Sequence, residues 1–145
     1  MPTYRMLENL IYRYADLVDR GDFAGVAELL ADATFIGGGG ELKGRKAIED
    51  MFRDLVIVYD DGTPKTKHVT TNVILEVDEE AGTARSQSYV TVFQAVEGLS
   101  LQPIAAGRYD DRFLRDGSRW RFAERRFTLD LLGEVSRHLR RAVAR

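Results

Sequence analysis

Cysteine is absent from this 145-residue sequence, and histidine, proline and tryptophan are scarce, at two, three and one. Without a thiol there can be no disulfide scaffold, thiolate zinc site, iron–sulfur cluster or cysteine nucleophile. Two histidines, His68 and His138, are too few for an all-protein transition-metal site, so no metal is expected. No apolar run approaches the ~20 residues needed to span a bilayer, and Met1–Arg13 carries charges where a signal segment would be apolar. A dominant charge sign is missing as well. The 21 Lys+Arg against 23 Asp+Glu give a net charge of −2, which argues against a nucleic-acid binder, whose affinity comes from neutralising phosphates. What is present, 44% hydrophobic and 30% charged residues, is the composition of a globular chain long enough for a buried core. The expectation is one cytoplasmic domain over residues 1–145, with no membrane or nucleic-acid partner.

The charge is unevenly spread. From Arg115 onward nine arginines face four acids, a surplus of +5, which leaves −7 on the first 114 residues. A basic tail of this kind reads as a solvated face or as a contact with an acidic patch on a second subunit. A homodimer or higher homo-oligomer is therefore expected.

Periodicity divides the chain in two. Leu7, Leu10, Ile11, Tyr14, Leu17 and Val18 follow the spacing of one apolar helix face. Gly21 suits the position just past that helix, and Asp22 the N-cap of a short second one around Val26–Leu30. Ala33–Ile36 is a possible strand, Gly37–Gly40 a flexible turn, and a third helix begins near Gly44 with Ile48, Met51, Phe52 and Leu55 on its buried face. Beyond the turn residues Asp60–Pro64 the period becomes two. Strands are expected over 66–77, 83–96, 101–115 and 119–129, the last pair joined at Asp116-Gly117-Ser118. Leu131, Val135, Leu139 and Ala142/Val143 suggest an amphipathic C-terminal helix over 131–145. Helices followed by one curved antiparallel sheet form an α+β plan, with a concave space at the open end of the sheet. Gly37–Gly40 followed by Gly44-Arg45-Lys46 lacks both the phosphate-loop and the dinucleotide spacing, and no cofactor is expected.

Several segments resemble, in order, those of SnoaL-like proteins in the nuclear transport factor 2 superfamily. They are Tyr14-Ala-Asp-Leu-Val-Asp-Arg-Gly-Asp-Phe23, Ala33-Thr-Phe35, Gly44-Arg-Lys-Ala-Ile48, Lys67-His-Val-Thr-Thr-Asn72, Gly107-Arg-Tyr-Asp-Asp-Arg112 and Gly117-Ser-Arg-Trp-Arg-Phe122. The resemblance spans roughly residues 3–130. It implies a cone-shaped α+β barrel with an apolar pocket between helices and sheet, often dimeric through the sheet. The pattern is nearest to the scytalone dehydratase and hexachlorocyclohexane dehydrochlorinase branch. That branch has a catalytic aspartate ending the first helix, here Asp19, and a catalytic histidine opening a strand, here His68. The dehydratase's second histidine falls on Phe93, and its aromatic partner before the aspartate falls on Val18, so neither carries over.

Physical chemistry supports the same pair. A carboxylate at a helix C-terminus opposes the macrodipole at a cost of roughly 0.3–1 kcal/mol, and an imidazole partner would account for Asp19 standing there. The carboxylate would fix the tautomer of His68, making a general base for removing a proton from carbon or water. The plain alternative is that Asp19 caps the loop toward Gly21–Phe23 while His68 is a hydrogen-bonded strand-end residue. Asp16 and Asp22 compete for the acidic role, but Asp16 falls on a polar helix face and Asp22 is better explained as a cap. Candidates for lining the pocket are Tyr14, Phe23, Phe35, Met51, Phe52, Leu55, Tyr89, Phe93, Tyr109 and Phe127, most of which read more readily as ordinary core. Tyr14 and Tyr109 could polarise a substrate oxygen, and Asn72 and Arg126 could anchor a polar group. His138, among Arg137, Arg140 and Arg141, reads as a surface residue.

Two functions fit. One is a cofactor-independent dehydratase, dehydrohalogenase or isomerase acting on a largely apolar, ring-containing small molecule. The other is a non-catalytic ligand-binding or assembly module, such as a ring-hydroxylating dioxygenase small-subunit-like protein.

Overall fold

The computed structural model describes residues 1–142. Helix α1 (Thr3–Asp19) buries Leu7, Ile11, Tyr14 and Val18, the stripe expected from its spacing. It ends where Gly21 takes a φ of +74°, and a Cβ there would lie 2.2 Å from the Gly62 carbonyl oxygen. The Asp22 side chain accepts the Gly25 N–H at 2.8 Å and starts α2 (Phe23–Leu29). Strands β1 (Thr34–Gly37) and β2 (Gly40–Lys43) then form a small hairpin whose turn uses the glycine run. Helix α3 (Arg45–Leu55) follows, with Ile48 and Phe52 buried.

Four long strands complete the fold: β3 (Thr66–Asp78), β4 (Thr83–Val96), β5 (Leu99–Asp116) and β6 (Arg119–Leu132). They form one sheet in the order β2-β1-β6-β5-β4-β3. The pairs β3–β4, β4–β5 and β5–β6 are antiparallel, whereas β1 lies parallel to β6. The sheet is curved and unclosed, so the barrel expected from the resemblance is open along β2 and β3. Register shifts in all three long pairings add local bend and twist. The core, including Leu7, Ile11, Phe23, Ile48, Ile104, Phe113 and Phe122, fills the space between the helices and the concave face.

The expected C-terminal helix over 131–145 is not formed among the described residues. Leu131 and Leu132 belong to β6, and the Gly133 N–H bonds to the Ile104 carbonyl at 2.7 Å. The segment 134–142 then runs as turns, bridged to the end of α3 at Val56–Leu139. Apolar residues four apart suit a turn-rich strap with Val135 and Leu139 turned inward as well as they suit a helix. Residues 143–145, the end of that expected helix, lie outside the described residues. No helix among the described residues is long and apolar enough to cross a membrane.

Candidate active site

Asp19 is the last residue of α1, and His68 is the third residue of β3, 49 positions away. The packing of α1 against the start of β3 brings them together. Asp19 Oδ1 lies 2.6 Å from His68 Nδ1 and accepts the Thr66 hydroxyl at 2.8 Å. Asp19 Oδ2 accepts the backbone N–H of His68 at 2.7 Å. Thr66 and His68 stand two apart in a strand and so face the same side. Both side chains of the pair are 9% exposed. Burial alone would push the Asp19 carboxyl up. The His68 side-chain hydrogen bond and charge, then the His68 N–H and the Thr66 hydroxyl, outweigh burial and hold it below its ordinary value.

An ionised Asp19 makes His68 carry its proton on Nδ1, which leaves Nε2 as the basic nitrogen. The pair opens on a groove of about 340 Å³ between α1 and β3, lined by Tyr12, Ala15, Asp16, Asp19, Arg20, Lys67, His68 and Thr70. Asp16, the competing acid, is exposed and pairs with Arg20 at 2.9 Å. Among the described residues no group of three His, Asp or Glu side chains is arranged to hold a metal ion.

The expected apolar pocket is occupied by side chains. Tyr14 stacks at 6.3 Å on Phe35 and meets Phe52 and Tyr109 edge-on at 6.3 and 5.7 Å. Met51, Leu55 and Phe93 are half-buried, whereas Asn72, Tyr89 and Arg126 are exposed. Tyr89 fails as a lining residue by parity: Ser88, Val90, Val92 and Gln94 are the inward residues of β4, so Tyr89 and Phe93 point the other way. Asn72 occupies a register shift in β3 with φ of +55°, a left-handed conformation asparagine tolerates. Its place is explained by the backbone.

A bulge decides between neighbouring arginines. Arg112 pairs with Glu124 and Phe113 with Phe122, so Ala123 is an extra residue in β6. Past it the inward parity changes, Arg125 points into the core and Arg126 faces out. Arg125 and its cross-strand neighbour Asp111 are fully buried, with Nε 3.1 Å from Oδ1. The guanidinium lies 3.5 Å from the Tyr109 ring centre and 4.2 Å from that of Tyr14. Burial pushes Asp111 up to about 6 against the pull of Arg125. It also raises both phenols, Tyr14 most, which therefore stay protonated.

His138 is a further correction. It is 7% exposed, not on the surface, and its ring lies 6.1 Å from that of His68 at 67°. Burial first, then the neighbouring His68, pushes it down to about 4.

The chain matches the SnoaL-like domain family over residues 2–126. It is a SnoaL-like protein. The family belongs to the NTF2-like superfamily expected from the order of the sequence segments. No curated protein matches this SnoaL-like chain by sequence. Among solved structures it is similar to Rv3472 of Mycobacterium tuberculosis, a protein of unknown function, with 25% identity and a TM-score of 0.73 over 89% of this chain and 72% of the other. It is also similar to a hexachlorocyclohexane dehydrochlorinase, LinA type 2, with 22% identity and a TM-score of 0.72 over 89% and 86%. A candidate scytalone dehydratase from Novosphingobium aromaticivorans gives 19% and 0.69 over 88% and 84%. The likeness to the last two establishes the SnoaL-like fold and leaves the reaction to be argued from the site.

Four buried polar residues escaped the sequence reading: Thr66 and His138 beside the dyad, and Asp111 and Arg125 in the core. Thr66 carried a signal, since it shares the inward parity of His68 two residues on. Asp111 carried a weaker one, two residues past the inward Tyr109. Arg125 carried none, because the bulge that turns it inward is set by pairing with β5.

Proposed function

We propose that this chain is a cofactor-independent acid–base enzyme of the lyase or isomerase type acting on a small organic molecule. The observation that carries the reading is the Asp19 carboxylate, which accepts three hydrogen bonds and holds His68 Nδ1 at 2.6 Å on the wall of an open groove. In this reading His68 Nε2 takes a proton from a substrate carbon. The C–H electron pair becomes the second bond of a new double bond while a halogen leaves as halide, or while a β-hydroxyl takes the proton back from His68 and leaves as water. In an isomerisation the pair moves onto a neighbouring carbonyl oxygen to give an enolate, and His68 returns its proton to a different carbon. Asp19 balances the positive charge on His68 while it holds the proton. Tyr12 and Ala15 offer apolar surface to a ring, and Lys67 and Thr70 offer donors to an oxygen or halogen.

The test is turnover of a panel of hydroxylated and halogenated cyclic compounds by wild type, His68→Ala and Asp19→Asn. Loss of the base should lower kcat/KM by about 10²–10⁴-fold with the circular dichroism melt kept. Full turnover by folded His68→Ala refutes the role. The binding or assembly reading draws its support from the filled interior, where Tyr14, Phe35, Phe52 and Tyr109 occupy the expected pocket. It predicts ligand binding that survives both substitutions and no turnover by any of the three proteins.

A further inference from the structure

His138 lies beyond the segment that matches the family, which ends at residue 126. It nevertheless reaches the dyad. The strap that carries it is pinned on both sides of the ring. The His138 carbonyl accepts the Ile57 N–H at 2.8 Å, its own N–H bonds to Val135 at 3.0 Å, and the Arg140 N–H bonds to Leu55 at 2.9 Å. One residue earlier, the Arg137 carbonyl accepts the Tyr59 hydroxyl and the buried Gln94 amide, which also bonds to Pro64. The imidazole itself is held differently. Its Nδ1 is buried without a hydrogen-bond partner among the described residues, so packing orients the ring. One neighbour in that packing is His68, edge-to-face at 6.1 Å, within the 4.5–7 Å range of favourable ring pairs.

We propose that His138 is a positioning residue for His68, its ring blocking the rotation that would carry Nδ1 away from Asp19. This rests on the reading of His68 as the base. Asp19 holds Nδ1 from the end of α1, and the strap packs the His138 ring edge-to-face with that of His68. A histidine ring can turn over about its broad second torsion, and a turned ring would put Cδ2 where Nδ1 now meets Asp19, breaking the hydrogen bond that fixes the tautomer and moving Nε2 to the place of Cε1. The hydrogen bond opposes that turn, and the packed His138 ring takes up space that the turn would need.

The chain has only two histidines, so nitrogen NMR of labelled protein resolves each ring. Wild type should show His68 in one tautomer, with a downfield Nδ1–H signal that disappears in Asp19→Asn. Folded His138→Ala should lose that signal to exchange and show both tautomers, and His138→Phe, which keeps a flat ring, should restore it. Should the alanine variant fail to fold, His138→Leu fills the volume without a ring face and is expected to lose the signal too. An unchanged His68 signal in either folded variant overturns the positioning role while leaving the dyad intact. Absence of the signal in wild type overturns the dyad and this inference together.

Discussion

Replacing Arg125 by methionine should be among the most destabilising single changes in the molecule, and its cost should depend on pH. Methionine fills much of the same volume but leaves Asp111, wholly buried, without a cation 3.1 Å away. Breaking a buried pair by removing one partner costs about 3–5 kcal/mol. The contacts of the guanidinium with the Tyr14 and Tyr109 rings, at 4.2 and 3.5 Å, add roughly 1–2 kcal/mol when desolvated. For 145 residues the unfolding entropy is about 0.3 kcal/mol per kelvin, so the combined loss of about 4–7 kcal/mol lowers Tm by about 13–23 °C. The carboxyl of Asp111 is already raised to about 6 by burial, and losing Arg125 removes the influence that lowers it. In the variant the folded state therefore holds its proton to higher pH than the unfolded state does. Acid then favours folding, and the penalty shrinks as pH falls from 8 toward 5. Urea titrations of wild type, Arg125→Met and the double variant Arg125→Met/Asp111→Leu at both pH values measure this. The double variant, with no charge left unpaired, should recover much of the loss. A single-variant cost below about 1 kcal/mol at pH 8, or a double variant worse than the single, would refute the reasoning.

Two further outcomes are expected. His138 is pushed from 6.5 to about 4, so the unfolded chain binds a proton there that the folded chain refuses. Its contribution is complete above pH 6.5 and is lost as pH falls toward 4, by about 3 kcal/mol. The stability of wild type relative to His138→Phe should drop by that amount between pH 7 and 4, a difference in which the opposite trend of Asp111 cancels; a constant gap contradicts the burial argument. Gly21→Ala forces a side chain onto a φ of +74° and against the Gly62 carbonyl. It should cost at least about 1 kcal/mol in a thermal melt, and a neutral result would mean that the 59–63 turn moves aside freely.

What was legible in the sequence was whatever repeats locally. The α1 stripe, the Asp22 cap and the long hairpins follow from periods of 3.6 and 2 and from turn residues, and the structure has them all. The β1–β6 parallel pairing was not legible, because nothing in Thr34–Gly37 names a partner ninety residues away. Leu131, Val135 and Leu139 misled for a related reason: spacing of four is shared by a helix and by a folded-back strap, and only the contacts at Val56 and Leu55 choose. For the site, Asp19 and His68 were readable through their order among family-like segments. The arginine was missed by one position because Ala123 shifts the parity of β6. Tyr89 and Phe93 were missed separately, because the alternation of β4 turns Ser88, Val90, Val92 and Gln94 inward and leaves those two on the other face.

The bond between the Asp19 carboxylate and the backbone of His68 has a consequence for how this protein could change. Among the described residues no strand pairs with the outer side of β3, and an unpaired N–H on an edge strand invites another chain. Asp19 Oδ2 takes that N–H at 2.7 Å and acts in place of the missing strand. One oxygen of the carboxylate thus seals the rim of the sheet while the other orients an imidazole. Tyr12, Lys67 and Thr70 can drift and reshape what the groove accepts, but Asp19 is fastened to two duties at once. A lineage that gave up the chemistry would still have reason to keep the aspartate, so its survival in a relative would testify to the rim before it testified to a reaction.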